Sequence, residues 1–330
     1  MVFITKTEWA QLLEKILTGR DIFAPFLSEN HLDYRLLDKN NIPQIVYHRA
    51  LPTTPLKTFL IPVKENVVKE SAASKPRVIL GVPACDLKAL KLLDKIYQDE
   101  GLADPFYRDN RAQTILIGTD CYEVSPHCHC TAYGIKPVVT EDADIALTAI
   151  EDHVRLKPLN SRGEAFLKDI LGSGKWPERE ESAAAQEGVA SRRERAGKQL
   201  ETYHQGLPDL KSSQEKIRQS GEGVWKKYAE KCVVCGACAV ICPSCNCFLL
   251  IDRKQMEKVR SWDACQYPSF ERVAGGEDPL KKHSIRFQNR YLCKYLFKPE
   301  KFGLLACTGC GRCIDACIGK INKNEVIRAL

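Results

Sequence analysis

The sequence predicts an α/β domain over residues 1–160, a charged and partly helical linker over 161–222, and a mainly α-helical, cysteine-rich domain over 223–330. Three observations carry this. A strand, helix and strand pattern at residues 78–82, 87–97 and 114–118 reads as a βαβ unit, which favours parallel pairing. Between residues 161 and 223 the composition shifts to charged and small residues, without the sustained apolar stripe of a packed helix. Beyond it stand two near copies of one cysteine pattern. A length of 330 residues also exceeds what one core usually holds, so two domains are expected.

The first expected element is a helix over residues 7–17, with Trp9, Leu12, Leu13, Ile16 and Leu17 at helical spacing and Thr7 read as its cap. In the βαβ unit, Leu87, Leu90, Leu93 and Tyr97 share one side of the helix. Cys85 follows the first strand and Cys121 the second, which puts both at the carboxyl edge of a parallel unit, where α/β proteins bind ligands. Cys128 and Cys130 follow on the next loop, flanked by His127 and His129. Asp86 is read as a cap for a helix starting at Leu87.

The linker contains Ala, Glu, Arg and Gln, good helix formers. Residues 172–175 superficially resemble a phosphate loop, but Asp169 and Trp176 stand where its glycine and its hydroxyl residue belong. No Gly-x-Gly-x-x-Gly follows a strand either, so no flavin or NAD is expected on this chain.

In the last domain, Cys232, Cys235, Cys238 and Cys242 are followed by Pro243, and Cys307, Cys310, Cys313 and Cys317 repeat the spacing. Two-residue gaps let three thiolates converge on one 4Fe-4S cube, while the fourth cysteine points to a neighbouring cube. The spacing therefore assigns Cys232, Cys235, Cys238 and Cys317 to one cluster, and Cys307, Cys310, Cys313 and Cys242 to a second, in a ferredoxin-like arrangement. Gly236, Gly309 and Gly311 suit loops that hug a cube. Structural zinc, the competing reading, takes two cysteine pairs rather than two such runs.

On the same chemistry a third 4Fe-4S cluster is expected at Cys85, Cys121, Cys128 and Cys130, against zinc with a histidine or plain buried thiols. Residues 254–260 and 285–296 read as helical. Four further cysteines, Cys245, Cys247, Cys265 and Cys293, are candidate metal ligands whose spacings match no established pattern, and core packing is the alternative.

Charge and compartment narrow the function. Lys6, Glu8, Glu14 and Lys15 interrupt the first 17 residues, so no export signal is expected, and sixteen cysteines then fit a reducing cytoplasm and metal ligation. Apolar runs such as 78–82 and 248–251 are too short to span a bilayer. Residues 253–301 hold twelve Lys or Arg against six Asp or Glu, a large share of the formal charge of +7. That excess suits an acidic partner or nucleotide phosphates, a solvated face, or compensation of anionic clusters. Nucleic acid is not expected, since no recognition motif accompanies the dispersed basic residues.

The stretch 225–242, the run Cys242-Pro-Ser-Cys-Asn-Cys-Phe, Ser261-Trp-Asp-Ala-Cys, Arg272-Val-Ala-Gly-Gly and Cys307-Thr-Gly-Cys-Gly-Arg-Cys resemble one family. It is that of the iron-sulfur β subunit of cytoplasmic nickel-iron sulfhydrogenases and the A subunit of anaerobic sulfite reductase. Gly81-Val-Pro-Ala-Cys-Asp-Leu-Lys-Ala and Asp104-Pro-Phe-Tyr are similar to that family's first domain. The resemblance implies a non-catalytic relay subunit of a hetero-oligomer. Such a subunit sits beside a flavoprotein that binds NAD(P)H and passes electrons to another redox centre, such as a hydrogenase, a sulfite or sulfur reductase, or a heterodisulfide-reductase-like module. Ile318 replaces the family's proline after the last cysteine, and Cys293 stands where the family has histidine. A self-sufficient reductase with a substrate site in the N-terminal domain is the alternative, with Asp86, Asp120, His127 and His129 as its titrating candidates.

Overall fold

The structure is a computed structural model that describes residues 1–49, 51–68, 75–101, 103–172 and 179–330. Residues 173–176 of the rejected phosphate loop lie outside the described residues.

The N-terminal strands are β1 (Val2–Thr5), β2 (Asp21–Ser28), β3 (His31–Leu36), β4 (Lys64–Asn66), β5 (Arg77–Val82), β6 (Thr114–Thr119), β7 (Ile145–Ile150) and β8 (His153–Pro158). Seven of them form one mixed sheet in the order β1-β8-β7-β6-β5-β2-β3. The central strands β2, β5, β6 and β7 are parallel, and β3, β8 and β1 close the edges antiparallel. Helices α1 (Lys6–Leu17), α2 (Ala84–Tyr97), α3 (Pro105–Ala112) and α4 (Ser161–Leu171) accompany the sheet.

Both faces of the central strands are covered, which is why β5 and β6 read as unbroken apolar runs rather than alternating ones. Val78, Leu80, Ile115 and Ile117 pack under Trp9, Leu12, Leu13 and Ile16 of α1 and Phe166, Leu167 and Ile170 of α4. Ile79, Val82 and Leu116 turn to the other face, against Leu87, Leu90, Leu93 and Tyr97 of α2. Each such fully buried side chain contributes about 1.5–3 kcal/mol. The expected βαβ unit is thus present in parallel register, Ile79 opposite Leu116.

Two expected caps lie elsewhere. Thr5, not Thr7, caps α1: its hydroxyl accepts from the Glu8 amide at 3.1 Å, while the Glu8 carboxylate accepts from the Thr5 amide at 2.8 Å. The chain passes straight from β1 into α1, so the strand's last residue has the extended backbone a cap requires. Helix α2 starts at Ala84 behind Pro83, which leaves Asp86 inside the first turn, buried, rather than at the cap. The segment read as linker also begins inside the α/β body, because α4 supplies apolar side chains to that core.

Beyond it come α5 (Ala183–Tyr203), α6 (Leu210–Gln219), α7 (Glu222–Ala229), α8 (Ala237–Val240), β9 (Phe248–Asp252), β10 (Lys258–Trp262), α9 (His283–Leu292), α10 (Lys298–Phe302), α11 (Arg312–Asp315) and α12 (Lys323–Ala329). Ile217, Trp225, Phe287, Tyr291, Tyr295, Val326 and Ile327 make the third core. The helix expected at 254–260 is instead a single tight turn, with Gln255 at φ 63°, leading into β10. β10 pairs with β9 and also with β4 from the N-terminal half. Buried Arg260 ties this ribbon down through Glu65 and Asp104, partners far away in sequence that a local reading does not see. The C-terminal part therefore combines helices with a strand ribbon. The expected helix at 285–296 is α9, which widens into a π-helical turn at Cys293–Phe297 before α10.

Candidate metal centres

The two cysteine runs fold into loops that interleave. Cys232, Cys235, Cys238 and Cys317 ring one cavity. Cys242, Cys307, Cys310 and Cys313 ring a second. The fourth cysteine of each run thus lines the same cavity as the first three of the other. Among the described residues no three His, Cys, Asp or Glu side chains close on a single metal ion. The cysteines stand around cavities instead, as ligands of a multi-iron cube do.

Cys85, Cys121, Cys128 and Cys130 ring a third cavity of about 320 Å³ at the carboxyl edge of β5 and β6. Leu200 of α5 closes it, so the segment expected to be a linker supplies a wall.

The three cavities form a series. Cys310 lines both the third and the second, and Cys313 lines both the second and the first. Glycine makes the close approach possible. Gly309 has φ 66°, its carbonyl accepts from the His129 amide at 2.8 Å, and a Cβ there would fall 2.6 Å from the Cys130 Cα. Gly311, at φ 83°, would place a Cβ 2.5 Å from the His127 carbonyl. Only glycine accepts both the positive φ and the contact.

Electrostatics suit thiolate ligation. Burial pushes the thiols of Cys85, Cys121 and Cys310 well up, that of Cys128 to about 12, and those of Cys130 and Cys238 to about 11. Such thiols release their protons when a metal supplies compensating charge. Cys242 is the exception: the Cys245 thiol and then the Lys294 ammonium, 3.2 Å from its sulfur, hold it well below the usual thiol range.

Several surrounding groups were not identified from sequence. Burial opposes the charge of Arg290, but the thiols of Cys238 and Cys313 outweigh it and hold the guanidinium protonated. Arg260, Arg286, Arg290 and Lys294 of the basic stretch are buried, so part of that charge lies within the protein. Lys57, from the N-terminal half, reaches the carbonyls of Ala239 and Cys245 at 3.0 and 2.9 Å. No motif marks Lys57, whose role depends on contacts over 180 residues away in sequence.

Of the titrating candidates for a substrate site, the two aspartates are held in structural contacts. Asp86 binds Arg312, and Asp120 accepts from Arg193 at 2.8 Å and from the Val139 amide at 3.0 Å. His129 is buried and lines the second cavity rather than the third. Its Nδ1 lies 2.8 Å from the His127 carbonyl. His127 is half-exposed, 3.6 Å from Asp315. Among the described residues no helix is long and apolar enough to cross a membrane.

Comparison with known proteins gives two findings. A family model described as "4Fe-4S dicluster domain" matches residues 231–321. The chain is 29% identical over 308 residues to sulfhydrogenase 2 subunit beta of Pyrococcus furiosus, covering 89% of this chain and 88% of that one. The C-terminal part is thus similar to iron-sulfur domains of the dicluster kind.

Proposed function

We infer that this chain, kindred to the iron-sulfur beta subunits of sulfhydrogenases and equipped with a 4Fe-4S dicluster domain, is the electron-transfer subunit of a multi-subunit cytoplasmic oxidoreductase. It relays electrons between an NAD(P)H-linked flavoprotein subunit and a further redox centre. The observation that carries the reading is the sharing of Cys310 and Cys313 between successive cavities, which supports an unbroken series of three 4Fe-4S sites. When bound, each cluster supplies one-electron redox chemistry at a potential set by its surroundings.

The protein's own residues hold and tune. The eight cysteines of the two runs hold two clusters, and Cys85, Cys121, Cys128 and Cys130 hold the third. Lys294 and Arg290 place positive charge beside the thiolates, which favours the reduced state. Cys235 is exposed, so the first cavity is one port of the series. The other lies at a cleft lined by His31, Arg49, Glu123 and Asp315, which shares Leu51 and Val124 with the third cavity. No residue of the chain is assigned acid, base or nucleophilic work: Asp86 and Asp120 are held in structural contacts, and His129 lies against the second cavity.

The test is anaerobic isolation of the chain with its partners, identification of those partners, iron analysis, and low-temperature EPR after dithionite reduction. Cys121→Ser should lower iron by about four per chain and remove one EPR component. An unchanged count in that variant would return the N-terminal thiols to packing. Full turnover by the chain purified alone would overturn the relay.

A further inference from the structure

We propose that Cys247, Cys265 and Cys293 hold a fourth iron-sulfur cluster, bounded by the ammonium groups of Lys57, Lys294 and Lys298. The proposal rests on the iron-sulfur reading above and extends it to cysteines that neither run contains.

Three separate segments bring these thiols together. Phe248 of β9 pairs with Trp262 of β10, and beyond that pair the Asp263 amide donates to the Cys247 carbonyl at 3.0 Å. Cys247 and the turn carrying Cys265 therefore emerge at the same end of the ribbon. Cys293 begins the π-helical turn that follows α9, a distortion that recurs at functional sites. Burial pushes the Cys265 thiol up to about 12, and Cys247, Cys238 and Cys293 are all close enough to bear on it. Cys293 likewise bears on Cys247. Cys245, the remaining candidate, turns the other way and bonds to Cys242 at the second cavity, so the site has three thiols rather than four. Asp263, whose charge reaches Cys247, offers a carboxylate for a fourth position.

The lysines are the independent observation. Lys57 and Lys294 are buried, 4% and 6% exposed, and Lys298 bonds the Ser244 carbonyl at 2.8 Å and the Asn246 side-chain oxygen at 2.5 Å. Among the described residues none of the three makes an ion pair with a carboxylate; their partners are carbonyls, hydroxyl and amide oxygens, the Cys242 sulfur and, for Lys57, the face of the Trp262 ring at 4.1 Å. Burial lowers the pKa of Lys57 and Lys298, so holding them charged here needs matching negative charge nearby. Cys242 supplies part of it. The thiolates of Cys247 and Cys293, both bearing on Lys298, supply the rest when they ligate a metal. Gln266 joins the site to the first cavity: its Nε2 donates to the Cys265 sulfur at 3.3 Å, and its Oε1 accepts from the Cys238 thiol at 3.3 Å.

The test is iron, zinc and EPR analysis of the full chain, isolated anaerobically, as wild type and as Cys247→Ser, Cys265→Ser and Cys293→Ser. Wild type should carry about sixteen irons, and each variant should lose about three or four with one EPR component, the remaining signals unchanged. About twelve irons in wild type, or serine variants that keep every iron, would overturn the site. One zinc per chain, lost in the same variants, would also overturn it. If a variant does not fold, the wild-type count still decides. Cys121→Ser in parallel separates the two readings, since it reports the third cavity alone.

Discussion

Arg312 and Asp86 form a two-pronged ion pair, with Nη1 to Oδ1 at 2.5 Å and Nη2 to Oδ2 at 3.0 Å, in which neither side chain reaches solvent. Arg312 stands between Cys310 and Cys313, and Asp86 directly follows Cys85. The pair therefore clamps the loop of the second cavity to the loop of the third. Arg312 also donates to the Pro52 carbonyl at 2.8 Å, and Asp86 accepts from the Leu56 amide at 3.1 Å, so each charge is further satisfied.

Breaking this pair from one side strands a buried charge. Arg312→Leu is expected to cost about 3–5 kcal/mol, because Asp86 remains desolvated without its partner. The double variant Arg312→Leu with Asp86→Leu should recover a large part of that loss. Denaturant unfolding of the anaerobic protein measures both. A single-variant cost below about 1 kcal/mol would mean that the clamp contributes no more than an exposed pair.

Gly309→Ala tests the contact between neighbouring cavities. The added methyl would meet the Cys130 Cα and the His129 carbonyl, each 2.6 Å away, and the positive φ adds about 1 kcal/mol of backbone strain. The loop must withdraw, and Cys130 with it. The expected outcome is loss of about four irons, with the two-cluster EPR signals of the C-terminal domain retained. Retention of full iron would show that the loops are not held against each other in solution.

Lys294→Met removes a buried positive charge 3.2 Å from the Cys242 sulfur at nearly constant volume. A cation stabilises the cluster state carrying the extra electron, so its loss makes reduction harder. The potential of the second cluster should fall by on the order of 60 mV, a tenfold change for a one-electron couple. EPR-monitored redox titration reads this directly, and an unchanged or raised potential would contradict the assigned role of Lys294.

The parts legible in the sequence are those governed by local pattern. The βαβ unit was readable because β5 and β6 are continuous apolar runs and α2 repeats leucine at helical spacing. Short gaps fix which sulfurs of a run can converge, and in the structure Cys242 and Cys317 line the cavities of the opposite runs. The ribbon of β9 and β10 was not. Lys254–Met256 offers helix-forming residues, but strand pairing across to β4 overrides that propensity, and the buried Arg260 reads locally as a surface charge.

By itself the sequence determined the ligand pattern on which the proposed chemistry rests: eight cysteines in two runs of iron-sulfur spacing, and four more around a βαβ unit. Ligand spacing is a short-range property, set by how far a few residues of backbone can reach. The tertiary structure alone decided which sites adjoin. It brought Gly309 against Cys130, Arg312 onto Asp86, and Lys57 beside Cys245. These contacts join residues 179 to 226 positions apart, and burial of apolar surface and charge pairing across the folded chain, not any local pattern, hold them together.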